Sequence, residues 1–501
     1  MELAFARAVH LYTAALGVTS PAPTFDDSPP SRSFFHRAVA AMLFDPKLLA
    51  LVPHARLGTV SSLTDLPGYA LFLANAAYPL LYNVQIESEA EYLDAMRNFP
   101  LWRVAPCTTN ARQTLDALID RCAGILATTP PSTGTADAGC SAGDATQSAC
   151  IIDLTHLSRF ERREGYADLG VRIFLDADVD GRARVVACDV PAEERGTGGC
   201  SGGLVRRTDD LAIRRCTTAL MTSATIEVHL AQIHLAMSDA ICTLIHTHLP
   251  TRHAARRLLL PLTNRAFFAN ETAVPFLLGP NGVCAWTNFT QRGVLGLVAH
   301  ATSKLDPAWL LFGHAGERGS AARHFALWRE CVRAHVRAFL ALHPAIERDF
   351  ASTSFVRAFA SLFPRLCNPT LEDACTLALL VPVAHELFAN PWVATLFTNP
   401  FTASFVWREG HRKGASLSCN KGGASLAEHM PTLAEQFRVN STASSTMREA
   451  TRVDSPAWID RCCVTKRERA AYAEFVRSVA ALDIPPDAVL FPCNVSSSVS
   501  Y

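Results

Sequence analysis

Between residues 225 and 248 the chain carries apolar side chains at almost every turn: Ile226, Val228, Leu230, Ile233, Leu235, Met237, Ile241, Leu244 and Ile245. A helix apolar nearly all round has no face to offer water, so it belongs in the middle of a large domain. That requirement restricts the chain to folds with enough surrounding layers. With 501 residues, 49% of them hydrophobic and 18% charged, the sequence can supply that cover. The same balance excludes global disorder. Helical periods recur over 322–342, 354–362, 371–389 and 466–481, so the second half reads as largely α.

The first half is more mixed. Residues 171–175 and 183–187 flank Asp180-Gly181 and read as a β-hairpin. Asp176, Asp178 and Asp180 read as a solvated turn, because the rest of an EF-hand loop is missing. Residues 127–149 are rich in Thr, Ser, Gly and Ala without helical or strand period, and read as a mobile surface loop. The expected organisation is an N-terminal helical part over 1–150 and a core over 151–501. The uncharged stretch 387–407 has the length of a membrane span. It also contains Asn390, Pro391, Asn399 and Pro400, which favour a buried core segment instead.

Composition excludes some partners. Lys and Arg (46) balance Asp and Glu (46), leaving no electrostatic footprint for nucleic acid. The 16 cysteines show no CxxC pattern, so buried free thiols are expected rather than zinc or a disulfide framework. Arg7 and His10 interrupt the apolar N-terminus, which makes a poor signal peptide and gives a cytoplasmic expectation.

The central segment carries His229, His234, His246, His248 and His253. The ordinary reading of each alone is a core imidazole bonded to a backbone carbonyl. His248 and His253 stand five apart, a step that leaves two rings about 140° apart around an α-helix. A π-type turn, with i→i+5 bonds, returns them to nearly one face. Pro250 lies between them and removes a backbone donor, so irregularity is expected there. Downstream, His385 sits within another apolar segment, followed by Asn390. Imidazole and oxygen ligands with an open position favour non-haem iron over structural zinc.

These residues carry a family resemblance. The run Ala231-Gln-Ile-His-Leu-Ala-Met-Ser-Asp239, then His248, His253-Ala254 and Thr263-Asn264-Arg265, resembles the iron-binding helix of lipoxygenases. In that family an H-x4-H on a π-turn supplies two iron ligands. The segment from Thr370-Leu-Glu-Asp373 to His385 resembles the helix delivering the third histidine, and Ser497-Ser-Val-Ser-Tyr501 resembles the tail whose terminal carboxylate is a ligand. The fourth-ligand asparagine of many members falls here at Ala389, with Asn390 one later.

The resemblance implies a mainly α fold: one large helical domain around a long π-bulged helix, with a small β-hairpin subdomain. It implies a metal site of His248, His253, His385, Asn390 and Tyr501, the three histidines being catalytic, holding iron or alternatively manganese. The implied reaction removes a hydrogen atom from a methylene between two double bonds of a polyunsaturated fatty acid, and O2 adds to give a hydroperoxide. The protein would act as a monomer with peripheral membrane contact and no nucleic acid. The alternatives are a lipid- or metal-binding homologue without dioxygenase activity, and a hydroperoxide isomerase on the same fold.

Overall fold

The computed structural model describes residues 150–177, 183–191, 204–263, 277–278, 283–285, 287–313, 320–389, 405–409, 429 and 456–482, together with Leu115, Asp116 and Ile119. The expected N-terminal helices, the loop at 127–149, Asn390 and Tyr501 lie outside the described residues.

The expected hairpin is present within a four-stranded antiparallel sheet. Strands β1 (Cys150–Asp153), β2 (Arg172–Ala177), β3 (Ala183–Pro191) and β4 (Leu204–Arg207) follow one another in spatial order. β2 and β3 pair with Leu175 opposite Val185 and Ala177 opposite Ala183. Ile173, Leu175, Val185 and Cys188 are buried, giving the sheet one apolar face that must be covered.

The cover is α1, a continuous helix over Asp210–His248. Asp209 caps its start by accepting a hydrogen bond from the Ala212 N–H. Its outer segments (Asp210–Ser223 and Ala240–His248) are α-helical, while Ala224–Asp239 between them winds as a π-helix. The helix is long and apolar enough to cross a membrane, but 72% of its most apolar window is buried inside the protein. It is a core helix, as its all-round apolarity requires.

Around it lie α2 (Ala254–Thr263), α3 (Gln291–Ser303), α4 (Ala308–Phe312), α5 (Ser320–Ala341), α6 (Phe350–Leu362) and α7 (Leu371–Ala384). Helices α8 (Pro456–Cys462) and α9 (Lys466–Ala480) follow. Two large apolar clusters meet on α1, and a smaller one of Cys462, Cys463 and Tyr472 lies at α8 and α9 among the described residues. One of the large clusters joins the sheet, the first half of α1 and α3; the other joins the second half of α1 with α2, α4, α5, α6 and α7. The π-segment contributes to both, through Ile226 and Leu230 to the first and Val228 and Ile233 to the second. Apolar burial on both sides therefore holds this segment in place.

Helix α7 opens with a capping box of Thr370 and Asp373. It contains Pro382, which lacks the N–H of a regular helical residue, and it continues as a π-turn over His385–Ala389. Cys188, Cys216, Cys242, Cys284, Cys375, Cys462 and Cys463 are buried free thiols, as expected. Burial pushes the Cys375 thiol up to about 12, which makes it a poor nucleophile.

Candidate metal centre

The structure gathers three histidines, and only one belongs to the expected set. The Nε2 atoms of His229 and His385 are 2.8 Å apart, those of His229 and His234 3.0 Å, and those of His234 and His385 3.1 Å. His229 and His234 lie on the π-segment of α1, where a step of five residues returns to one face. His385 opens the π-turn at the end of α7. Two irregular turns on two buried helices thus aim three rings at one point.

Three nitrogens this close cannot satisfy one another. A neutral imidazole carries one N–H, so an N–H in this triangle meets two acceptors at once, or lone pairs face lone pairs. A cation at the centre removes the conflict. Metal–nitrogen bonds of about 2.1 Å meeting near right angles place nitrogens about 3.0 Å apart, which is the spacing observed. Burial, reinforced by His385, pushes His229 well below the usual histidine range. Burial, with His229 and His385, does the same to His234, and burial brings His385 to about 3. All three rings are therefore neutral at pH 7 and keep their lone pairs for a metal. The donor set fits iron, or another divalent ion that accepts imidazole. Glu386 is fully buried beside it, its Oε1 3.9 Å from His385 Nδ1.

His248 and His253 do not join this group. No π-turn links them, because Pro250 ends α1. Leu249, the residue before the proline, is extended (φ −104°, ψ 115°), as a pre-proline residue prefers. The chain then turns, with His253 N donating to Pro250 O at 2.9 Å, and restarts as α2. His248 Nδ1 contacts Ser354 Oγ at 2.8 Å, and His253 Nε2 contacts Asp349 Oδ2 at 2.8 Å. Asp349 caps α6, so both imidazoles dock that helix onto α1 and α2. Among the described residues, neither of the two groups suited to a metal includes them.

The pair that the structure gathers with His385 has the same five-residue spacing as the expected one. What separates them in the sequence is Pro250: His229 and His234 stand inside an uninterrupted helical run, and the other two straddle its end. A π-helix keeps its register only where backbone donors continue.

Neither a protein-family model nor a curated protein matches this chain. Solved structures do. A coral 8R-lipoxygenase aligns over 92% of this chain and 73% of its own, with a TM-score of 0.63 at 12% identity. A LOX variant crystallised anaerobically in complex with arachidonate aligns over 94% and 75%, with a TM-score of 0.63 at 12% identity. A fungal lipoxygenase from Fusarium graminearum aligns over 70% and 72%, with a TM-score of 0.53 at 13% identity. The chain has the lipoxygenase fold.

Proposed function

We propose that this protein is a non-haem iron dioxygenase acting on polyunsaturated fatty acids, a lipoxygenase in activity as well as fold. The observation that carries the reading is the triangle of Nε2 atoms from His229, His234 and His385, 2.8 to 3.1 Å apart. The triangle is built on the π-segment of the central helix, and one structural neighbour was crystallised with arachidonate.

Iron held there would supply one-electron oxidation of a methylene between two double bonds, to whose carbon radical O2 then adds. The chain's own residues do the rest. His229, His234 and His385 bind through Nε2, and burial keeps protons from competing for those atoms. The buried residues Leu230, Ile233, Leu387 and Phe388 flank the three histidines in the chain and give an apolar setting suited to an acyl chain. Manganese fits the same donors.

A second reading rests on Ala389. It is fully buried four residues after His385, where many lipoxygenases place an asparagine ligand, and a methyl group cannot coordinate. The π-turn favours the five-residue step to Asn390, which lies outside the described residues. A centre short of one ligand would suit a homologue that binds metal and lipid without dioxygenation, or a hydroperoxide isomerase. Iron-loaded protein incubated with linoleate and arachidonate separates these readings. The proposal expects oxygen uptake with growth of the conjugated-diene band. Bound iron without diene formation favours the second reading, and faster consumption of a supplied hydroperoxide than of the parent acid marks the isomerase.

A further inference from the structure

On the other side of the π-segment, a second cluster of ligand-type side chains converges from three separate elements. Glu227 stands two residues before His229. Since π-helical positions repeat every four to five residues, it points nearly opposite to the first histidine group. His156 comes from the short 3-10 turn Thr155–Arg159 after β1, and His300 from α3. His156 Nε2 lies 2.9 Å from Glu227 Oε1 and 3.0 Å from Oε2. The His300 ring stacks on His156 at 5.2 Å, and Phe160 packs edge-on against both. One ligand atom from each of the three residues lies within 4.8 Å of the others.

The carboxylate is the informative member. Glu227 is only 8% exposed, and its hydrogen-bond partners among the described residues are Ser223 and His156, with no lysine or arginine. Its ion-pair partner among the described residues is His156, which carries charge only when protonated, and a bound cation would supply the positive charge that a buried carboxylate needs. Two imidazoles and a carboxylate with a free fourth position are a ligand set that first-row divalent ions such as zinc accept.

We propose that His156, Glu227 and His300 form a second divalent-cation site that ties the turn after β1 and helix α3 to the back of the π-segment. It takes a zinc-class ion on nitrogen and oxygen ligands. It does not depend on the first centre holding metal.

The test uses the full-length His385→Ala protein, in which the first centre is disabled, titrated with Co2+ alone. Cobalt reports its ligands through visible bands, and a thiolate ligand adds a charge-transfer band, so capture by cysteine is recognised. The expected result is saturable uptake of a single equivalent with nitrogen and oxygen ligation, lost when His156→Gln and His300→Gln are added. The same pair of substitutions in the otherwise unaltered protein should leave uptake at the first centre intact, which checks that the fold survives. Absence of uptake by the His385→Ala protein overturns the proposal. So does an equivalent that persists after both glutamines are introduced, or one that carries the thiolate band.

Discussion

His229 and His385 stand 156 positions apart in the chain, yet their Nε2 atoms are 2.8 Å from each other. The contact exists because α1 and α7 each break from α-helical register where they approach. Neither break is local decoration: α1 winds as a π-helix for 16 residues, and α7 turns into one three residues after Pro382. The site is therefore a property of two helices and their shared apolar packing.

The histidines that dock α6 should behave as structural groups. His253→Ala removes a hydrogen bond to the Asp349 carboxylate and should lower the unfolding free energy by about 1–3 kcal/mol. Urea titration measures that loss. Metal content and turnover of the folded variant should equal those of the unaltered protein.

Glu468 makes a separate, pH-dependent contribution to stability. Its side chain is fully buried and accepts hydrogen bonds from Arg257, from His343 Nε2 at 2.9 Å, and from the Val464 and Thr465 N–H groups at 2.7 Å. Burial alone would raise its carboxyl, but these hydrogen bonds and the Arg257 charge outweigh it and hold it at about 2. A carboxyl depressed in the folded state stabilises fully above its unfolded value of 4.5, and that stability is lost as pH falls towards 2. Urea midpoints measured from pH 5 to pH 3 should fall more steeply for the unaltered protein than for Glu468→Gln. Glu468→Ala, which leaves Arg257 without its partner, should cost about 3–5 kcal/mol at neutral pH.

Two glycines of α3 should respond differently to alanine. A Cβ at Gly293 would come 2.2 Å from the backbone oxygen of Glu161, which cannot move aside alone. At Gly296 the nearest atom is 3.1 Å away, on the Phe160 ring. Gly293→Ala should lower stability by about 1–3 kcal/mol. Gly296→Ala should be near neutral, since alanine's helix preference of about 1 kcal/mol offsets the tight contact. Thermal melting distinguishes the two.

Packing near the π-turn should couple stability to metal occupancy. Phe388, three residues after His385, packs against Trp309 at 5.5 Å and Phe325 at 5.2 Å between ring centroids. Phe388→Ala should cost about 3–5 kcal/mol and also lower bound metal, because the cavity lets the turn shift. Phe359→Ala, an equally buried change in α6, should cost a similar amount without changing metal content.

Much of the fold was legible because it follows from periodicity. The all-round apolar run marked the central helix, and the expected segments at 371–389 and 466–481 match α7 with its π-turn and α9 within a residue. The Asp180-Gly181 hairpin was legible from turn chemistry; β1 and β4, with four residues each, leave too little pattern to read. At the site, His385 was legible and its partners were not. Both candidate pairs share one spacing, and the resemblance to Ala254 and Thr263-Asn264-Arg265 drew attention to the later one. Pro250 ends the helix between the later two, so it is His229 and His234 that the structure gathers with His385. The second cluster was invisible in sequence, since His156, Glu227 and His300 carry no motif and meet only through tertiary packing.

The most direct measurement is the iron content of purified protein carrying His229→Ala compared with His248→Ala, by elemental analysis under identical loading. A centre built on His229, His234 and His385 loses its iron in the first variant and keeps it in the second. Iron retained by His229→Ala and lost from His248→Ala would contradict the assignment.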